Sequence, residues 1–405
     1  MITLVKSYFV PMMVLLIIFL NEICSSTQIL AGITDTSIVE HAWAILLAGV
    51  TYAMLLLDWK KCKLPKSNIR VLAFLSVILV LYYVTSFFYS EFRPRHFSYF
   101  LVFISESIPA AYIGMRLVRS GNFDKINNLL PLFIIPNALL IGTIGVQYAA
   151  IGERVNNDDS GLNYQTVSYY MAFCYSYAIY YVFFNRKTKG LFMLIMRGVM
   201  LLIMFYCGMV CLVSGGRGAF VFIIFITLFF AYSYLKNTKK HRIRTIAILI
   251  IIAVVVIWLI NRFNVMESAG MLRVMDKMTE DDHRKYLYNK AYQAFIASPI
   301  FGNGVGSVWW TVGYYSHNMI LDFLSEVGVL GSLIVLTILT KTAKKMYNLS
   351  KLNHIFIFFL IVMLGALMRL MFSSYWVSAV KLFFVCSLIY SYPMIKLKKE
   401  QLWKN

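Results

Sequence analysis

The feature that most limits this chain is a succession of unbroken apolar runs, each close to the length of a membrane span. They fall at roughly 7–23, 40–58, 71–90, 97–115, 129–148, 164–184, 191–213, 219–235, 245–260, 316–340, 352–372 and 375–391. About twenty helical residues cross the hydrocarbon core of a bilayer, whereas a barrel strand would show about ten residues of alternating polarity. Of the 405 residues, 60% are hydrophobic and only 14% are charged. A water-soluble domain has no means of covering that much apolar surface. The expected fold is an all-α integral membrane protein: a single polytopic domain over 1–405 with about twelve transmembrane helices.

The formal net charge of +20 is large enough to raise nucleic acid as a partner. Its distribution excludes that. The basic residues gather between apolar runs, at Lys60/Lys61/Lys63/Lys66/Arg70, Arg186/Lys187/Lys189, Lys236/Lys239/Lys240/Arg242/Arg244, Lys341/Lys344/Lys345 and Lys396/Lys398/Lys399/Lys404. They recur at every second loop, as the positive-inside rule requires. An even number of spans then puts every cluster and both termini in the cytoplasm. The N-terminal run follows Lys6 and has no small-x-small cleavage site, so an uncleaved first span is expected. Of the six cysteines, Cys207 and Cys211 share a helix face without a His or carboxylate partner, so neither a metal site nor a disulfide framework is expected.

Three outward loops carry polar chemistry. The first runs from Ala149 to Leu162 and contains Arg154. The second is the turn Ser214-Gly215-Gly216-Arg217-Gly218-Ala219. The third, 261–315, is a large outer loop between the ninth and tenth spans. Within it, Asp282 to Ala297 has helical spacing of Tyr286, Ala291, Tyr292 and Phe295, fit for an amphipathic helix along the membrane surface. A glycine-rich turn, Pro299 to Gly306, leads back to the bilayer.

Arg217, set between glycines, brings backbone N–H groups and a guanidinium to one point, which is an anion site suited to phosphate. The competing reading is a helix C-cap or a head-group contact. Arg284 opens the segment Asp282-His283-Arg284-Lys285-Tyr286, which composition alone reads as a solvated charge run. His317 stands at the mouth of an apolar run, where a membrane enzyme would keep its base. Asn318, Asp322 and Glu326 follow at four-residue spacing on one face, so a carboxylate is expected to orient the imidazole. Arg369 is expected to pair with Asp322 or Glu326, Arg197 to snorkel toward the inner face, and Gly328 and Gly331 to allow close helix packing.

Three stretches resemble the bacterial O-antigen polymerase and ligase superfamily, and the Wzy-type polymerases in particular. Ser214–Ala219 resembles its serine/arginine/glycine turn. Arg284 through Gly306 resembles the arginine-led helix and glycine-rich return of its large outer loop. Ser316-His317-Asn318, followed by Leu321, Glu326, Gly328 and Gly331, resembles its His-Asn helix start. One departure is Gly216, where the family turn often carries a second serine.

The resemblance implies a polytopic inverting glycosyltransferase of the GT-C type, in the bacterial inner membrane, needing no cofactor and no metal. The large loop would be periplasmic. The substrates would be undecaprenyl-pyrophosphate-linked oligosaccharides, with membrane lipids and a chain-length regulator protein as partners. By position, Arg217 and Arg284 would hold the pyrophosphate and His317 would activate the acceptor hydroxyl. Arg154, Asn318, Asp322 and Glu326 would be supporting residues. Two activities fit: a polymerase joining repeat units, or a ligase moving finished polysaccharide to lipid A–core. A flippase for the same lipid-linked sugar is the alternative of another class. It would place key charges midway through the membrane in pseudo-symmetric halves, whereas the candidate residues here gather at one face.

Overall fold

The structure is a computed structural model of the chain. It describes residues 2–33, 36–60, 93–150, 162–185, 190–237, 261, 272 and 282–392. Among these, every regular element is helical. In chain order they are α1 (Ile2–Ile18), α2 (Leu20–Ala31), α3 (Thr36–Lys60), α4 (Arg93–Val102), a π-helical turn (Phe103–Ser107), α5 (Ile108–Ser120), α6 (Phe123–Ala150), α7 (Tyr164–Phe184), α8 (Leu191–Ser214), α9 (Arg217–Asn237), α10 (Asp282–Ala297), α11 (Val308–Thr311), α12 (Met319–Ser350), α13 (Ile355–Phe372), a 3-10 turn (Trp376–Ser378) and α14 (Val380–Ser391). The expected spans at 71–90 and 245–260, and the outer loop bearing Arg154, lie outside the described residues.

Six of the described helices are long and apolar enough to cross a membrane, or seven if the broken pair α1–α2 counts as one. The chain is a multi-pass membrane protein. α9 and α14 are shorter apolar helices. The first expected span is not one helix but two, divided at Phe19. The reason lies in α2, whose Glu22, Ser25, Ser26 and Gln28 are buried in protein. Ser26 donates to Asn137 Oδ1 at 2.6 Å, a polar bond that lipid could not supply.

The chain divides into two compact units, one of residues 1–21, 37–130 and 279–405, the other of 22–36 and 131–278. In the first, α5 packs along α14 at Gly114, where any Cβ would collide with the Phe384 carbonyl and the Ser387 hydroxyl. α12 and α13 form an antiparallel hairpin, and α10 lies against α12. Phe356, Phe358, Phe359 and Phe384 fill the centre. At one end Asp58 is held by Arg116 (2.5 Å) and by the Tyr112 hydroxyl (2.7 Å). Lys345, from one of the basic clusters between apolar runs, donates to the Ile389 and Tyr392 carbonyls and so caps α14.

The π-turn adds a residue to the helical path and frees a carbonyl. Tyr52 fills that gap by donating to the Ile104 oxygen at 2.7 Å, and Ser107 reaches across to the Val377 oxygen at 3.1 Å. In the second unit α7 packs against both α8 and α9. Arg197 donates to the Asn185 carbonyl at 2.5 Å, capping α7. Cys174, Cys207 and Cys211 are buried free thiols.

Candidate functional site

The Arg217 turn belongs to the second unit. α8 ends at Ser214, Gly215 takes the left-handed conformation (φ +76°) as its cap, and Arg217 is the first residue of α9. Gly216 cannot be larger, because the Ser168 side chain from α7 occupies the space of its missing Cβ. Ser168 also accepts the Gly216 N–H at 2.9 Å. A hydroxyl is therefore present where the family turn carries its second serine, but it comes from a different helix. The Arg217 side chain is half-buried, and its Nε is buried with no hydrogen-bond partner among the described residues. The first N–H groups of any helix also lack intrahelical acceptors. The turn thus offers a guanidinium donor and a helix start at one place, as an anion site requires.

Arg284 and His317 belong to the first unit. Arg284 is half-buried in the first turn of α10. Leu287 and Ala291 of that helix share one buried cluster with Val305, Val308, Trp309 and Tyr375, which Tyr315 and Leu321 flank. The helix bearing Arg284 and the turn bearing His317 therefore rest on a common core.

The glycine-rich return is bonded into a break in α12. Gly328 has φ +63° and ψ −171°, a conformation open only to glycine. The break strips neighbouring backbone groups of their helical partners, and the loop replaces them. Asn303 N–H donates to the Ser325 oxygen (2.9 Å) and Gly304 N–H to the Glu326 oxygen (2.8 Å). In return, Val329 N–H donates to the Pro299 oxygen (2.9 Å) and Leu330 N–H to the Ile300 oxygen (3.3 Å). The Asn303 side-chain amide donates to Ala294 and Ser325 oxygens, tying α10 to α12. Gly328 was expected to serve helix packing; its role is instead this exchange, since the loop backbone occupies the space its Cβ would need.

Glu326, fully buried, is the hub of that junction. Its Oε1 accepts the Gly306 N–H (2.9 Å) and the Tyr375 hydroxyl (2.6 Å), and its Oε2 accepts the Trp376 indole N–H (2.7 Å). One carboxylate thus joins the glycine loop, α12 and the α13–α14 connection. Glu326→Gln leaves too few acceptors and turns an amide N–H toward the indole. We expect a loss of about 2 kcal/mol or more, read as a lower melting temperature of the solubilised protein.

His317 is not on the helix. It precedes α12 in the left-handed conformation (φ +59°), and it alone among the described non-glycine residues has positive φ. Histidine, asparagine and aspartate tolerate that region best. The turn is fixed on both sides. Ser316 N–H donates to Asp322 Oδ1 at 2.8 Å, the Ser316 hydroxyl to the Asn318 oxygen at 3.0 Å. Asn318 is the N-cap, its Oδ1 accepting Ile320 and Leu321 N–H. Asn318, Asp322 and Glu326 do follow one another along the first turns of α12, but His317 lies outside the helix, so that register does not extend to the imidazole. Asp322 instead holds the backbone of the residue before it.

Aromatic rings flank the imidazole, Tyr315 at 4.5 Å and Tyr314 at 5.5 Å between centroids. The Tyr315 hydroxyl donates to the Ser373 oxygen at 3.2 Å. Burial, and then the hydrogen bond and charge of the Tyr314 phenol, push its pKa up, while Arg369 pulls it down. The phenol stays protonated near neutral pH. Arg369 lies in electrostatic range of Tyr315 and Glu40; the hydrogen bonds to Glu326 come from Gly306, Tyr375 and Trp376.

Comparison with known proteins bears on what this geometry serves. Residues 199–336, about a third of the chain, match the Wzy_C family model, described as O-Antigen ligase. The match supports the O-antigen polymerase and ligase superfamily. No curated protein and no solved structure matches the chain. The Wzy_C segment spans the Arg217 turn, Arg284, the glycine-rich return, the His317 turn, Asp322 and Glu326. It also contains the α12 break. Ser168, which bonds the Arg217 turn, and Tyr375 and Trp376, which bond Glu326, lie outside the Wzy_C segment. Sequence reading passed over all three. Ser168 sits in a tyrosine-rich apolar helix, and Tyr375 and Trp376 look like interfacial aromatics until their bonds to Glu326 are seen.

Proposed function

We propose that the chain is an O-antigen polymerase: an inverting glycosyltransferase that joins undecaprenyl-pyrophosphate-linked oligosaccharide repeat units at the periplasmic face of the inner membrane. The carrying observation is the His317 turn. The backbone of His317 sits between the Ser316–Asp322 bond and the Asn318 cap in the left-handed conformation, uncommon for a residue with a side chain, and such conformations gather at functional positions. In this reading His317 takes the proton of the acceptor hydroxyl as that oxygen attacks the anomeric carbon. The bond from that carbon to the pyrophosphate oxygen breaks, undecaprenyl pyrophosphate leaves, and the anomeric centre inverts.

Pyrophosphate is a good leaving group, so the donor end calls for charge stabilisation more than for a proton. Arg217 and Arg284 take that role, with Arg154 as a further cation. The buried Nε of Arg217 supports it, because an orphaned donor in a water-poor setting favours an anionic acceptor. Arg217→Lys keeps the charge but loses the planar fork. We expect polymer synthesis to fall on the order of tenfold or more, read from lipopolysaccharide ladders at matched protein level.

The ligase is the second reading, favoured by the description of the matched family model itself. It uses the same donor and the same residues. Gene deletion separates the two. A polymerase leaves single-repeat lipopolysaccharide; a ligase leaves core without any O-antigen. An unaltered ladder in the deletion strain would contradict both.

A further inference from the structure

We propose that Tyr314 is the stacking platform for the acceptor sugar, the ring of which lies against the partly exposed tyrosine while one hydroxyl meets His317; this rests on the reading of His317 as the base. Tyr314 is the outermost ring of an aromatic cluster. Behind it Trp309 is 3% exposed and Tyr375 1%, whereas Tyr314 is 38% exposed. The open ring is nonetheless held firmly. It meets the Trp309 edge at 5.4 Å, lies 4.3 Å from the Tyr315 ring, and donates its hydroxyl to the Tyr315 hydroxyl at 3.3 Å. Gly313 (φ +89°) turns the chain just before it, with nothing within 4 Å of where a Cβ would stand.

Scale makes the assignment specific. A hydroxyl that gives its proton to His317 must sit within about 3 Å of the imidazole. The sugar ring carrying it is about as wide as a phenol ring, so its body must cover whatever lies one ring-width away. Tyr314 lies there, at 5.5 Å. The C–H bonds on one face of a pyranose are weakly positive, and they complement the negative face of an aromatic ring. An interfacial lipid anchor is the ordinary reading of an exposed tyrosine. Such an anchor leaves its hydroxyl to water and head groups; the Tyr314 hydroxyl is engaged by the neighbouring Tyr315 hydroxyl, which fixes the ring beside His317.

The test uses the full-length protein, purified, with lipid-linked repeat units extracted from cells lacking the gene. Chain extension is measured against substrate concentration for the wild type, Tyr314→Phe, Tyr314→Leu and His317→Asn, each checked for an unchanged melting temperature. Tyr314→Leu should raise the half-saturating concentration about tenfold with kcat within about twofold. Tyr314→Phe, which keeps the ring, should restore wild-type saturation. A wild-type KM for Tyr314→Leu, or equal losses in Leu and Phe variants, overturns the platform. His317→Asn reports separately on the parent reading: if it extends chains as the wild type does, the base assignment fails and the platform with it.

Discussion

His317→Asn should abolish chain growth while leaving the protein inserted and folded. Asparagine is among the few residues that accept the left-handed backbone at this position, so the Ser316–Asp322 bond and the Asn318 cap survive the change. What disappears is a group able to take a proton. A positioned base contributes about a hundredfold or more, enough to empty the lipopolysaccharide ladder of long chains. The choice of asparagine matters. Alanine or valine would add about 1–2 kcal/mol of backbone strain and mix a structural loss with a chemical one. The check is a ladder from a deletion strain carrying the variant, beside its membrane protein level. A normal ladder would mean that the imidazole serves the turn and not the reaction.

Gly328→Ala should cost the fold more than any other single methyl group in α12. The backbone there is in a region closed to residues with a Cβ, and the methyl would collide with the Ile300 carbonyl of the docked loop. Relief by shifting the loop would break the exchange of backbone bonds with Pro299–Gly304 and pull Gly306 away from Glu326. We expect a loss of more than about 3 kcal/mol, seen as failure to accumulate or as melting far below the wild type. Gly198→Ala is the matched control. It lies in a helix with nothing within 4 Å of the added carbon, and should be neutral or slightly stabilising. Equal stability of the two variants would show that α12 can straighten without penalty.

Those two residues mark where sequence reading reaches and where it stops. The helix at Asp282–Ala297 is legible because a polar stretch with helical spacing needs nothing distant to fold it. The glycine turn before Arg217 is legible because its cap is local. Gly328 is not. A glycine in an apolar run reads equally as a packing site, and the group that decides its role is the backbone of a loop more than twenty residues earlier. Ser168 shows the same limit: its bond to Gly216 crosses 48 positions. The regular spacing of Asn318, Asp322 and Glu326 tells that they follow one helix start, but not what each side chain binds. Asn318 caps the helix, Asp322 accepts the Ser316 N–H, and Glu326 accepts donors from Gly306, Tyr375 and Trp376, partners that only the fold brings near.

The decisive measurement is chain extension by the purified protein in lipid nanodiscs, supplied with lipid-linked repeat units. Wild-type protein should build a ladder without added proteins, and His317→Asn, folded and at equal concentration, should build none. A wild-type preparation that extends nothing, or an asparagine variant that matches it, would contradict a glycosyltransferase working through His317.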